Sequence, residues 1–271
     1  PAKKFLSEKD VILRERDMGL DNPSRMLSEK TWLNMFLNHP ARHPIIGYKE
    51  KIAEVDRALM TEYYRKRYSP FRSFFVVCGD VDAEDVFAAV GKSLGSWAPG
   101  DISEQPLPED VPQTCPRRAT YHFKDPLARI SMNFMSRPSS HPDVPALDIL
   151  SSILGLNKSS RLVESLKTDR KLAINISSYN YTPYFAGVFG VSAMCKPENL
   201  EKLISGVSSE IAGLRKKGAL RQELDREIQV QKADYIRSLR SNSTVARILG
   251  NTILSFGGPE YADWYIPALE K

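Results

Sequence analysis

Seven residues separate Glu8 from Glu15 in the stretch Glu8-Lys-Asp-Val-Ile-Leu-Arg-Glu15. On an α-helix this is nearly two turns, so both carboxylates fall on one face, about 10 Å apart along the axis. Such a pair can serve metal binding, or it can be a solvated charged face. Catalytic zinc takes three protein ligands, so a lone carboxylate needs histidines from a neighbouring element. The histidines are His39, His43, His122 and His141. His39 and His43 would share a helix face, but Pro40 lies between them and Pro44 follows, which argues against a helix there. Both read as surface-loop histidines. Gly155-Leu-Asn-Lys-Ser-Ser160 lacks the second glycine of a phosphate-binding loop, and neither G-x-G-x-x-G nor G-x-S-x-G occurs. Ser159-Ser160 reads as a helix cap, since no base stands near it in sequence. Cys78, Cys115 and Cys195 are odd in number and form no C-x-x-C, so no disulfide framework is expected.

The elements that must position these groups follow from periodicity. Phe5, Ile12 and Leu13 share a face of a first helix, which Asp21-Asn22-Pro23 breaks. Met26, Leu27, Leu33, Phe36 and Leu37 form the apolar set of a second. Asp56 to Arg67 reads as another helix. The run Ser73–Cys78 suits a strand buried on both faces, with Cys78 a small core residue. Asp82 caps a helix carrying Val86, Val90 and Leu94. Between Pro99 and Pro116, five prolines and the acids Asp101, Glu104, Glu109 and Asp110 predict an exposed, semi-extended linker, beneath which Trp97 could pack. Beyond it, Arg129–Arg137 alternates as a strand. Val144–Leu154 and a segment from Ser159, with Leu162 and Leu166, read as helices. Leu172–Tyr181 and Phe185–Cys195 form a strand pair around Pro183. Pro197 opens a long helix that Gly218 ends; helices over Leu220–Arg240 and Val245–Phe256 follow, stopped by Gly257-Gly258-Pro259. The expected class is α+β: residues 1–98, a linker 99–116, and residues 117–271, each main segment a sheet covered by helices on one face.

Composition sets the outer limits. The chain has 271 residues, is 42% hydrophobic and 26% charged, and carries a formal charge of +5. These values exclude a disordered, collagenous or coiled-coil chain. No apolar run reaches the ~20 residues of a membrane helix. The basic excess is spread along helical faces, with 10 Lys/Arg and 7 Asp/Glu in Glu198–Arg247, so nucleic acid is not an expected partner. The chain opens Pro1-Ala2-Lys3-Lys4 and closes in a helical pattern at Lys271, which predicts a piece of a longer protein. Its compartment, cytoplasmic or periplasmic, stays unread.

Several stretches together resemble the M16 (pitrilysin/insulinase) family of zinc metallopeptidases. They are Glu8–Glu15, Asn38-His-Pro-Ala-Arg-His-Pro-Ile-Ile-Gly47, Tyr63-Tyr64 with Tyr68-Ser-Pro70, and Val76-Val-Cys-Gly-Asp-Val-Asp82. The likeness continues through His141–Asp148, Ile153–Leu162 and Leu166–Ala173. It is nearest to the short bacterial and mitochondrial-processing-peptidase type and covers nearly the whole chain. It implies two homologous α+β domains, the first incomplete here, and a zinc-dependent endopeptidase acting on extended peptide or protein substrates. In the family, zinc lowers the pKa of a water and the glutamate of an H-x-x-E-H motif takes its proton. The resemblance assigns Glu15 the third zinc ligand and Glu8 the supporting acid behind it.

Two departures accompany the match. H-x-x-E-H is absent, and in the family it precedes the glutamate pair, before Pro1. The chain alone is therefore expected to be inactive and without catalytic zinc, its missing half or a partner M16 subunit supplying the rest. Some members also carry an Arg and, seven residues on, a Tyr that contact the substrate carbonyl; the aligned positions are Lys167 and Ile174. Lys167 can donate and Ile174 cannot. Two functions stay open: part of a zinc metalloendopeptidase, or part of a non-catalytic partner subunit for substrate capture or assembly. An exposed interdomain face would also favour self-association.

Overall fold

The structure, a computed structural model, describes residues 2–100 and 106–270. Pro1, Lys271 and the linker acids Asp101 and Glu104 lie outside the described residues. The chain divides into two compact units, 1–112 and 113–271.

The first unit is helical. Helix α1 spans Ala2–Leu20 and α2 spans Pro23–Met35. Between them Asn22 accepts from the Arg25 N–H, and Pro23 takes the first turn, where its missing N–H costs nothing. Of the expected apolar set, Phe36 is fully buried, but Leu37 and Ile12 turn to solvent, and Met35 joins the interior instead. Helix α3 is Lys49–Glu54 and α4 is Arg57–Arg67, the latter capped by Asp56 accepting from Leu59 N–H. Helix α5, Ala83–Leu94, starts at Asp82, which accepts from the Glu84 and Asp85 N–H groups.

One expectation fails in this unit. Among the described residues it contains no sheet, and Ser73–Cys78 runs extended without a ladder. Its composition suits a strand, yet a strand forms only against a partner edge that satisfies its N–H and C=O groups. With no partner there, Phe75 stands 60% exposed. Cys78 is half-buried rather than a core residue. One residue of the expected linker is tied down. Asp110 is half-buried and accepts from the Leu37 N–H at 2.8 Å, and from Asn38 and His39 at 3.4 Å. Burial works against its charge, but these donations and that of Val111 outweigh it and hold the carboxyl below its usual range.

The second unit carries the sheet. Strands β1 (Ala128–Ser136), β2 (Asn175–Tyr181) and β3 (Gly187–Cys195) form an antiparallel sheet in the order β1-β3-β2. The register sets Met132 and Ser178 opposite Val191, and Ile130 and Ile176 opposite Ala193. This face packs on Leu154, Leu162, Leu166, Leu203, Val207 and Leu214. Burying each such side chain contributes roughly 1.5–3 kcal/mol. The helices of this unit are α6 (Val144–Ser151), α7 (Leu200–Lys217), α8 (Arg221–Ser238), α9 (Asn242–Phe256) and α10 (Tyr265–Leu269). Gly218 and Gly257, at φ 75° and 87°, close α7 and α9 in a region that other residues rarely enter.

Two segments are wound as π-helix, Ser152–Leu156 after α6, which kinks at Gly155, and Val163–Asp169. The first runs directly over β2: a Cβ on Gly155 would lie 2.7 Å from the Ser178 nitrogen. Only a residue without a side chain lets the two backbones approach so closely.

Candidate functional site

Glu8 and Glu15 both lie on α1, and both are exposed. The inner face of that helix is fixed by three charged contacts. Arg16 is buried and grips Glu29 of α2 through two hydrogen bonds, at 2.5 and 3.0 Å. Lys49 pairs with Asp17 at 2.7 Å. Lys9 donates to the Ala53 and Val55 carbonyls at 2.6 and 2.7 Å. Residues 9, 16 and 17 thus face the unit, and the neighbouring Glu8 and Glu15 stay on the open side. The Glu15 side chain is 57% exposed, and its ion pair with Arg25 spans 4.0 Å. A carboxylate held so loosely keeps its oxygens available to a further cation.

The histidines are not arranged to join it. His39 is buried, not a surface residue: its Nδ1 accepts from the Ala41 N–H, and its ring lies 5.9 Å from that of Phe36. The side chain caps the short turn Pro40–Arg42, which pulls the ring inward. His43 is exposed and its Nδ1 lies 3.0 Å from the Tyr48 hydroxyl. No three His, Cys, Asp or Glu side chains among the described residues come together as a metal site. The groups present among the described residues therefore do not make up a catalytic zinc site.

Lys167 rides on the second π segment in the other unit. That segment is anchored by Leu166, which is 0% exposed and whose carbonyl accepts from the Leu172 and Ala173 N–H groups. The exposed Lys167 ammonium lies 3.3 Å from Asn175 Oδ1 at the start of β2. Ile174, just before it, is exposed and offers no side-chain hydrogen bond. Asn175 thus brings a polar group beside Lys167 that the reading of residue types overlooked.

Loop residues Asn157–Ser160 are tied to α8. Asn157 donates to the buried Glu227 at 2.9 Å and accepts from Ser159 N–H; Arg161 holds Glu223 through Nε at 2.8 Å. The Arg161 guanidinium holds the Glu223 carboxyl below its usual range. Ser160 is buried and donates to the Asn157 carbonyl, a turn-forming role that leaves it no part as a nucleophile.

The architecture is α+β, and comparisons with known proteins give its family. A family model described as "Peptidase M16 inactive domain" matches residues 54–230. The zinc protease PqqE of Helicobacter pylori is 30% identical over 261 residues, which cover 93% of this chain and 58% of that protein. The crystal structure of a protease from Helicobacter pylori superposes with a TM-score of 0.93 at 27% identity, over 99% of this chain and 66% of that one. The peptidase M16 inactive domain from Pseudomonas fluorescens shares the fold, with a TM-score of 0.84 at 18% identity, over 100% of this chain and 64% of that one. The chain belongs to the M16 peptidase family, and its matched residues are of the inactive-domain type. It spans about 58% of the length of the zinc protease it matches. No described helix is long and apolar enough to cross a membrane.

Proposed function

We propose that this chain is part of a zinc-dependent metalloendopeptidase, to which it contributes one metal ligand and a substrate-holding inactive domain. The observation that carries the reading is the loosely held carboxylate of Glu15, on a helix whose opposite face is locked in place. In this reading Glu15 is a zinc ligand, Glu8 orients it, and Lys167 with Asn175 presents donors to an extended peptide or protein substrate. The remaining ligands and the general base come from polypeptide outside these 271 residues, either an amino-terminal half or a partner M16 subunit. Residues 1–98 then form part of a first M16-like domain and residues 117–271 most of a second, joined by 99–116. The chain alone is expected to bind no catalytic zinc and to cleave no peptide.

A second reading is supported by Ile174. Where some members place a hydrogen-bonding Tyr, this chain has an apolar side chain, as a non-catalytic subunit for substrate capture or assembly could tolerate. Reading the coding sequence upstream of Pro1 separates the two. An H-x-x-E-H motif several tens of residues before Glu15 supports the peptidase, and its absence supports the partner subunit.

A further inference from the structure

The inward side of α1 borders a cavity of about 230 Å³, shared with α2, the loop that follows it and α3. Leu20, Met26, Leu33, Pro44 and Tyr48 form its apolar wall. A space of that size takes one small organic molecule, since pockets for drug-sized ligands run to roughly 300–1,000 Å³. Ligand sites combine apolar walls with a few placed polar groups, and two of the polar groups here are arginines.

Both arginines have donors to spare. Arg16 is 5% exposed and gives Nη1 and Nη2 to Glu29, but its Nε–H is buried and meets no acceptor among the described residues. Arg42 gives Nη1 to the Leu37 carbonyl. Its Nε–H is buried and also meets no acceptor among the described residues. The edge formed by Nε and Nη2 is a side on which a guanidinium takes a carboxylate through two parallel bonds. On Arg42 that whole edge is unbonded among the described residues. Enclosing a charged donor without an acceptor is costly, and most buried donors in folded chains are paired.

The charges set the kind of acceptor. Arg16, Lys30, Arg42 and Lys49 line the cavity with four positive charges, and Glu29 and Glu50 with two negative ones. Asp17, which pairs with Lys49, brings a third negative charge. One positive charge is left over, which suits a ligand with a single negative charge. A dianion would set its second charge against Glu29 and Glu50 in a partly enclosed space, where like charges repel strongly.

We propose that this cavity binds a small organic acid, one carboxylate on an apolar body. The carboxylate accepts from the Nε and Nη2 edge of Arg42 and from the Arg16 Nε–H. The body rests on Leu20, Met26, Leu33 and Tyr48. The bound acid thereby ties α1 to the loop after α2 through two charge-assisted contacts.

The test titrates the full 271-residue chain with phenylacetate and, separately, with phenylacetamide, which has the same body without the charge. Arginine Nε–H signals and the Met26 methyl are followed by NMR. Phenylacetate should shift the Arg42 and Arg16 Nε–H signals and the Met26 methyl along one saturable curve. Phenylacetamide should bind about tenfold more weakly, the worth of a charge-assisted hydrogen bond. Arg42→Met should weaken phenylacetate by a similar factor and leave phenylacetamide unchanged. Inorganic phosphate should bind more weakly than phenylacetate. Failure of phenylacetate to saturate these signals, equal binding of acid and amide, phosphate binding as tight as that of the acid, or phenylacetate binding undiminished by Arg42→Met overturns the proposal. The comparison of acid, amide and phosphate on the parent chain decides the matter even if the variant fails to fold.

Discussion

The guanidinium of Arg16 meets the carboxylate of Glu29 through two hydrogen bonds, 2.5 and 3.0 Å long, one residue along α1 from Glu15. The pair is nearly dry, with the Arg16 side chain 6% exposed. It determines which way α1 is turned, and hence that Glu15 looks outward. Removing one partner strands a buried charge, a loss on the order of 3 kcal/mol. Glu29→Gln should accordingly lower the stability of the first unit by about that much in urea unfolding. Lys51→Ala, at an exposed pair with Glu54 that solvent screens, should leave it essentially unchanged.

Leu166 links the core to the proposed substrate contact. It is fully enclosed, and the main chain around it carries Lys167. Leu166→Ala should cost about 2–5 kcal/mol, because the rigid surroundings cannot close over the void. Calorimetry on the whole chain measures this directly.

Gly155 is required by the approach of the first π segment to β2. Gly155→Ala would drive a methyl to 2.7 Å from the Ser178 nitrogen and 2.8 Å from its hydroxyl. Two backbones must separate to relieve it, at about 1–3 kcal/mol. The amide of Ser178 should then exchange faster than in the parent chain.

Asp110 predicts an acid-sensitive fastening of the segment that follows residue 106. Its carboxyl lies below the ordinary range when folded, so its contribution is present above the unfolded pKa and is lost as pH falls through the folded one. Limited proteolysis at residues 106–112 should quicken in acid, and Asp110→Ala should show the same rapid cleavage already at neutral pH.

Local chemistry made much of this structure legible. Asp82 caps α5 because a side-chain oxygen two or three residues before an N–H is a short-range relation. Gly218 and Gly257 stop helices for an equally local reason, and β2 with β3 follows from alternation across a short turn. Relations that span the chain were not legible. Asp110 reaches a loop 73 residues earlier, and Arg16 selects Glu29 among many acids. Ser73–Cys78 shows the opposite failure: its composition is that of a strand, but pairing is a property of two segments. His39 was misplaced because its neighbouring prolines announce a loop without saying that the loop turns its ring inward.

The central claim is that Glu15 is a zinc ligand donated by this chain and insufficient alone. Atomic emission analysis tests it on the 271-residue chain, on the polypeptide that includes the coding sequence upstream of Pro1, and on that longer polypeptide with Glu15→Gln. The account predicts no bound zinc in the first, about one equivalent in the second, three ligands being the usual complement, and its loss in the third. Stoichiometric zinc in the 271-residue chain, or zinc undiminished by Glu15→Gln, would contradict it.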